Sequence, residues 1–315
     1  MKYRKIGTLL IILLVTLSTY AQQFNIFTIE TRPVGLESKE ANGFVSLSDI
    51  DRLSEHSDSL ALPDLSNINN DGYEKFSYIT LDSTYRTRFL SRTNTSETDK
   101  LFIYSYSEDV LVSIPVSDLK VVAWLDAYTM PRECPCPEYY YQIGLEIENK
   151  FLTGYENHFV NTLVFVGEKN PFVRNQVKPV VWQKIDSTEF PSNLVNTEVN
   201  FNFGNNDYKY QLGMTYKFEN QHYQFFIQKL IKKDWQFGLR LLVVDRKTKE
   251  KIDERLFHSG ESSSFAPLDN QWVGYLFKNK PMVIFGFKWI SFGCPSITLL
   301  GSNEKEIVIN CDNRH

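Results

Sequence analysis

The sequence predicts an all-β fold, mainly antiparallel, and three observations predict it. Aromatic residues make up 14% of the 315-residue chain, with 23 Phe and 17 Tyr; rings and β-branched side chains fit half-buried pleated surfaces. Apolar and polar residues alternate with period two in many short runs, as in Val199, Phe201 and Phe203 against Asn200 and Asn202. Turn-forming clusters separate these runs roughly every 8 to 14 residues, the rhythm of sandwiches, barrels and propellers. About sixteen short strands are expected, as a sandwich or a degenerate propeller-like arrangement, with at most one or two short helices.

The chain opens with Lys2, Arg4 and Lys5, an apolar run from Ile6 to Leu17, and the small residues Thr19 and Ala21 ahead of Gln22. That is the pattern of a secretory signal cleaved after Ala21. The apolar run is about 12 residues where a spanning helix needs roughly 20. Residues 1–21 are therefore read as a cleaved signal peptide, and the protein as periplasmic, cell-surface or extracellular. The ending of this segment resembles signals of Gram-negative bacteria, in particular the Bacteroidetes. Cleavage removes three positive charges and no negative ones, which moves the net charge from −4 to −7. An acidic chain has no electrostatic footprint for nucleic acid or anionic lipid. No later stretch approaches spanning length, so no integral membrane segment is expected after cleavage.

A helix is expected from Ser48 as N-cap through Glu55, with acids in its first turn. The segment Asn67-Ile-Asn69-Asn70-Asp71-Gly72-Tyr73 follows, with oxygen-bearing side chains at alternate positions and a glycine for the sharp turn. It resembles the short calcium loop of FG-GAP-type repeats. The segment from Trp272 to Ile284 is similar to the W-x-G-D-L-D-G-D-G-x-x-D-L-I pattern of such repeats, with each acid replaced. The resemblance implies a propeller-like β-fold, with side-chain ligands from Asn67, Asn69 and Asp71 and a carbonyl from Tyr73. Asn67 stands where the loop carries an acid, and Lys75 puts a cation at its last ligand position, so the affinity for Ca2+ is expected to be lost. An Asn-Asp-Gly turn ahead of a strand at Phe76–Leu81 accounts for the same residues without a metal, and no cofactor is expected.

Hairpins are predicted where paired runs flank turn residues. One joins Leu101–Tyr106 to Val110–Ile114, another Tyr208–Phe218 to Tyr223–Ile231, and a third Gly238–Val244 to Ile252–Phe257. The charged tip Asp245–Lys251 of the third mixes both signs and reads as a solvated turn. Three prolines in 129–138 break the strand rhythm and suggest a division into 22–133 and 134–315, although one domain is equally compatible. Past the break, Tyr139 and Tyr141 share one face of a strand. With His158, set among aromatic and acidic residues, they are the candidate ligand-binding residues.

Four cysteines in an exported chain read first as disulfides. Strands at Ser296–Leu300 and Lys305–Ile309, joined by a four-residue turn, place Cys294 opposite Cys311 across the ladder, close enough to bond. Cys134 and Cys136 are open to three readings: a strained local disulfide, a thiolate pair on a soft metal, or cross-pairing with the other two.

Signals for catalysis are sparse. The chain has no Gly-x-Ser-x-Gly elbow, no His-Glu-x-x-His and no phosphate-cradling glycine loop, and its five histidines are scattered one to a segment. Ser117-Asp-Leu-Lys120 has the spacing of an acylating serine, but it lies between two strands and reads as a polar turn. The sequence therefore points to an exported, non-enzymatic β-protein binding a glycan or an envelope protein. The rival reading is a secreted hydrolase of a surface polymer, which requires two carboxylates about 5 to 10 Å apart in a cleft beside an exposed aromatic ring.

Overall fold

The period-two runs do form strands, and the computed structural model shows how they stack. It describes residues 24–33, 41–50, 77–125, 141–152, 159, 161–195, 201–203, 206–208, 211–232, 235–258, 263–265, 268–290, 293–301 and 306–313. Three larger sheets form layers. An N-terminal sheet has the strand order Glu30–Pro33, Ala41–Ser46, Tyr141–Ile147, Lys120–Leu125, Tyr78–Thr80. A central nine-stranded sheet runs Val177–Pro179, Trp272–Gly274, Val283–Phe285, Ser296–Leu299, Glu306–Asn310, Ile26–Phe27, Thr162–Gly167, Lys100–Ser105, Val110–Pro115. A C-terminal sheet runs Gln183–Ile185, Gln211–Glu219, Tyr223–Lys232, Trp235–Asp245, Lys251–His258. Pairing is antiparallel except where Ile26–Phe27 lies parallel to Glu306–Asn310. The described residues hold twenty-three strands rather than about sixteen, because several are pieces of two or three residues too short to stand out as alternating runs.

Alternation along each strand decides which layer a side chain joins. Tyr141, Ile143, Leu145 and Ile147 point from the N-terminal sheet toward Leu101, Ile103, Val164 and Val166 of the central sheet. The opposite face of the central sheet presents Phe102, Tyr104, Leu163 and Phe165. It curls so that these meet Val283, Phe285, Ile297, Leu299, Ile307 and Ile309 of its own far half. On the outer side of that far half, Val273, Met282 and Ile284 pack against Phe225, Ile227, Leu239, Leu241 and Val243 of the C-terminal sheet. The layers stack as a sandwich around a half-barrel rather than radiating as blades. Strands on both sides of position 134 share the N-terminal sheet, since Lys120–Leu125 pairs with Tyr141–Ile147.

The one helix among the described residues is Ser83–Arg92, a segment whose Thr, Tyr and Phe content favours strands. Asp82 caps it, its carboxylate accepting the Tyr85 N–H at 2.7 Å. Tyr85, Phe89 and Leu90 point into the first core. Arg86 donates to Glu97 and to the carbonyls of Val116 and Leu119, which ties the helix to the turn before Lys120–Leu125. Ser48, expected to cap a helix of its own, does different work: its hydroxyl accepts the Ile143 N–H at 2.8 Å. Residues 48–50 form a turn, and 51–55 lie outside the described residues.

Cys294 and Cys311 are joined, with Cα atoms 5.5 Å apart. The register that led to this pairing is out of step by one residue. Ser296 faces Val308, so the ladder would set Cys294 opposite position 310 rather than 311. The bond forms diagonally past the last strand pair, beyond Pro295, whose carbonyl accepts the Ile309 N–H.

The Lys100–Ser105/Val110–Pro115 hairpin ends in a polar lock. Asp109, at φ 55°, accepts the Tyr104 hydroxyl at 3.0 Å and the Asn175 N–H at 2.8 Å, and faces Arg174. Desolvation raises the Asp109 carboxyl, but the hydrogen bonds from Tyr104, Asn175 and Arg174 together outweigh it and hold the pKa below its usual value. A depressed carboxyl contributes stability that is present above its unfolded pKa, about 3.9, and is lost as pH falls through the folded value. In urea titrations, Asp109→Asn should therefore destabilise at pH 6, and its deficit relative to wild type should shrink toward pH 3. An unchanged deficit would mean that the carboxylate charge plays no part.

Candidate functional site

A cleft of about 470 Å³ opens between the edge of the C-terminal sheet and the far half of the central sheet. Two stretches of backbone form its walls. Arg255, Leu256 and Phe257 line one side, and Ile284 to Lys288 line the other. Successive side chains of a strand point to opposite faces, so three consecutive lining residues mean that the strand's edge, not a face, borders the cleft. Lys251–His258 is the terminal strand of its sheet, paired only with Trp235–Asp245 among the described strands.

Charge in the cleft is organised by Arg255. Its guanidinium donates to Asp253 at 2.8 Å and to Glu306 at 2.5 Å. Glu306 starts the strand that carries Ile307 and Ile309 into the core, and it pairs with Thr298, another lining residue. The Arg255–Glu306 pair thus bridges the two sheets across the cleft. Glu306 is the one carboxylate among the described lining residues, and Lys288 adds an exposed cation.

The cleft is also lined by Tyr106, whose ring stands edge-on to Trp272 at 5.1 Å and to Phe285 at 4.9 Å. Its hydroxyl donates to Asn161 at 3.0 Å, and burial pushes its pKa far up, so it stays protonated. Gly286 turns the wall at φ 83°, where a Cβ would stand 2.1 Å from the Asn270 carbonyl oxygen; no other residue fits this bend without moving the backbone. Pro295 and Ser296 close one end, next to the Cys294–Cys311 bond. A smaller pocket of about 310 Å³, with Glu189, Lys217 and Lys249 at its rim, lies beside Phe226 of the C-terminal sheet.

None of the residues singled out in the sequence lines this cleft among those described. Tyr141, a candidate ligand-stacking ring, is 0% exposed, and its side chain belongs to the first core; burial raises its hydroxyl well above the usual tyrosine range. Tyr139, His158, Asn67, Asn69, Asp71, Tyr73, Cys134 and Cys136 lie outside the described residues. Among the described residues no three His, Cys, Asp or Glu side chains are grouped to hold a metal ion, and no helix is long and apolar enough to cross a membrane. Asp253 and Arg255, two apart on one face of the strand that follows the charged tip Asp245–Lys251, are the local sequence signal for this cleft, and mixed charges beside a turn suit a solvated hairpin equally well. Compared with protein-family models, characterised proteins and solved structures, the chain matches none.

Proposed function

We propose that this chain is an exported, non-enzymatic β-protein of the cell envelope or secreted fraction, and that it binds a partner protein through an extended segment laid along the cleft. The observation that carries this reading is the edge of Lys251–His258 bordering a cleft with a second backbone run opposite. An exposed strand edge offers unpaired N–H and C=O groups that an added strand can satisfy, with flanking pockets selecting alternate side chains. Leu256, 40% exposed on that strand, gives such a segment an apolar contact. Asp253 and Arg255 give it charged ones and keep the edge from pairing indiscriminately. Export is supported by the Cys294–Cys311 bond, since structural disulfides persist in oxidising compartments. A hydrolase reading asks for two carboxylates beside an exposed ring; Asp253 and Glu306 do come together on the Arg255 guanidinium, but as its two ion-pair partners, which favours a structural bridge over acid–base work.

Hydrogen exchange tests the proposal once a peptide has been selected from a displayed library against the protein. Backbone amides of 251–258 should gain protection in the complex. Arg255→Glu should weaken binding about tenfold or more, as expected for a broken charged contact. A selected peptide that leaves those amides unprotected would sink the strand-addition reading.

A further inference from the structure

The polar groups that line the cleft divide into those already engaged and those left open. Glu306 receives the Arg255 guanidinium at 2.5 Å, and the Gly286 carbonyl accepts Gln271 Nε2–H at 2.9 Å. Arg255 is held in turn between Glu306 and Asp253 of its own strand. The open groups are donors. Lys288 is exposed and meets no carboxylate among the described residues. Ser296 and Thr298 share one face of their strand. Both line the cleft, and their hydroxyls make no hydrogen bond among the described residues.

The ladder places these groups. Ile284 pairs with Thr298, and Thr298 pairs with Glu306 at the Arg255 bridge. Beyond that point one strand continues toward Lys288 and its antiparallel partner toward Ser296, so the ammonium and the hydroxyl lie on the same side of the bridge. Val308 faces Ser296 on the next strand and is 56% exposed, which sets an apolar contact beside the donors. An incoming cation would be repelled by Lys288. A wholly apolar segment would cover the ammonium and both hydroxyls without giving them partners, which costs free energy. A carboxylate meets all three, and its bond to an ammonium is of the stronger, charge-assisted kind. We infer that the cleft selects an acidic segment: an aspartate or glutamate faces Lys288 and Ser296, and an apolar residue two positions along, on the same face of the added strand, covers Val308. The inference rests on the strand-addition reading of this same cleft.

The test uses peptides selected from the displayed library against the protein and sorted by hydrogen exchange. Those that protect the 251–258 amides should share an Asp or Glu at one position. Replacing that acid by Asn or Gln should weaken binding about tenfold or more, the loss expected on breaking a charged contact. Lys288→Glu, at an exposed position with no ion pair to lose among the described residues, should weaken the same peptides by a similar factor. It should also bind a peptide whose acid is exchanged for Lys more tightly than the wild type does. Peptides that protect 251–258 but share no acid, or acid-dependent binding that survives Lys288→Glu, would overturn the inference and leave strand addition standing. Peptides that leave those amides unprotected would remove strand addition, and this inference with it.

Discussion

Phe89→Ala is expected to lower the unfolding free energy by about 3 to 5 kcal/mol, the range for truncating a fully buried phenylalanine. Phe89 is 0% exposed and stacks on Tyr85 at 6.2 Å, inside the core that joins the N-terminal and central sheets. The cost has two parts: the lost transfer energy of the ring, and the cavity left where two rigid sheets cannot close in. Chemical denaturation of Phe89→Ala beside Thr84→Ala checks it, because Thr84 is exposed on the same helix and should shift stability by no more than about 0.5 kcal/mol. Similar small losses for both would mean that the helix is peripheral to the core.

Replacing Cys294 and Cys311 together by serine should cost about 3 kcal/mol in the chain-entropy account of a closed loop of this size; the two residues are 17 apart. The wild type should lose a similar amount on reduction, and the double variant should lose less than the wild type on the same treatment. Mass spectrometry without reduction should show the 294 and 311 peptides linked; linkage of either to Cys134 or Cys136 would contradict the pairing. Because the bond sits beside Pro295 and Ser296 at one end of the cleft, reduction should also raise hydrogen exchange in 296–299 and 306–310.

How much was legible follows from which interactions are local. The hairpin at 100–115 was readable because its turn and alternation lie within sixteen residues, and its observed register pairs Leu101 with Ile114 and Ser105 with Val110. The cysteine pairing was readable for the same reason, although a one-residue error in register entered through the turn. The helix at 83–92 was not. Its N-cap at Asp82 and its apolar spacing at 85, 89 and 90 were present, but Thr, Tyr and Phe favour strands, and burial in the first core overrode that propensity.

The candidate site lies further from local control. Arg255 and Glu306 are 51 positions apart and meet at 2.5 Å only because two sheets stack. By itself the sequence determined the β class, the positions of the local hairpins and the acidic charge, because alternation and turn chemistry act over a few residues. The layering, the curl of the central sheet and the placing of the cleft were decided by tertiary structure. Which strand neighbours which depends on burying faces contributed by distant segments, and no short stretch of sequence carries that information.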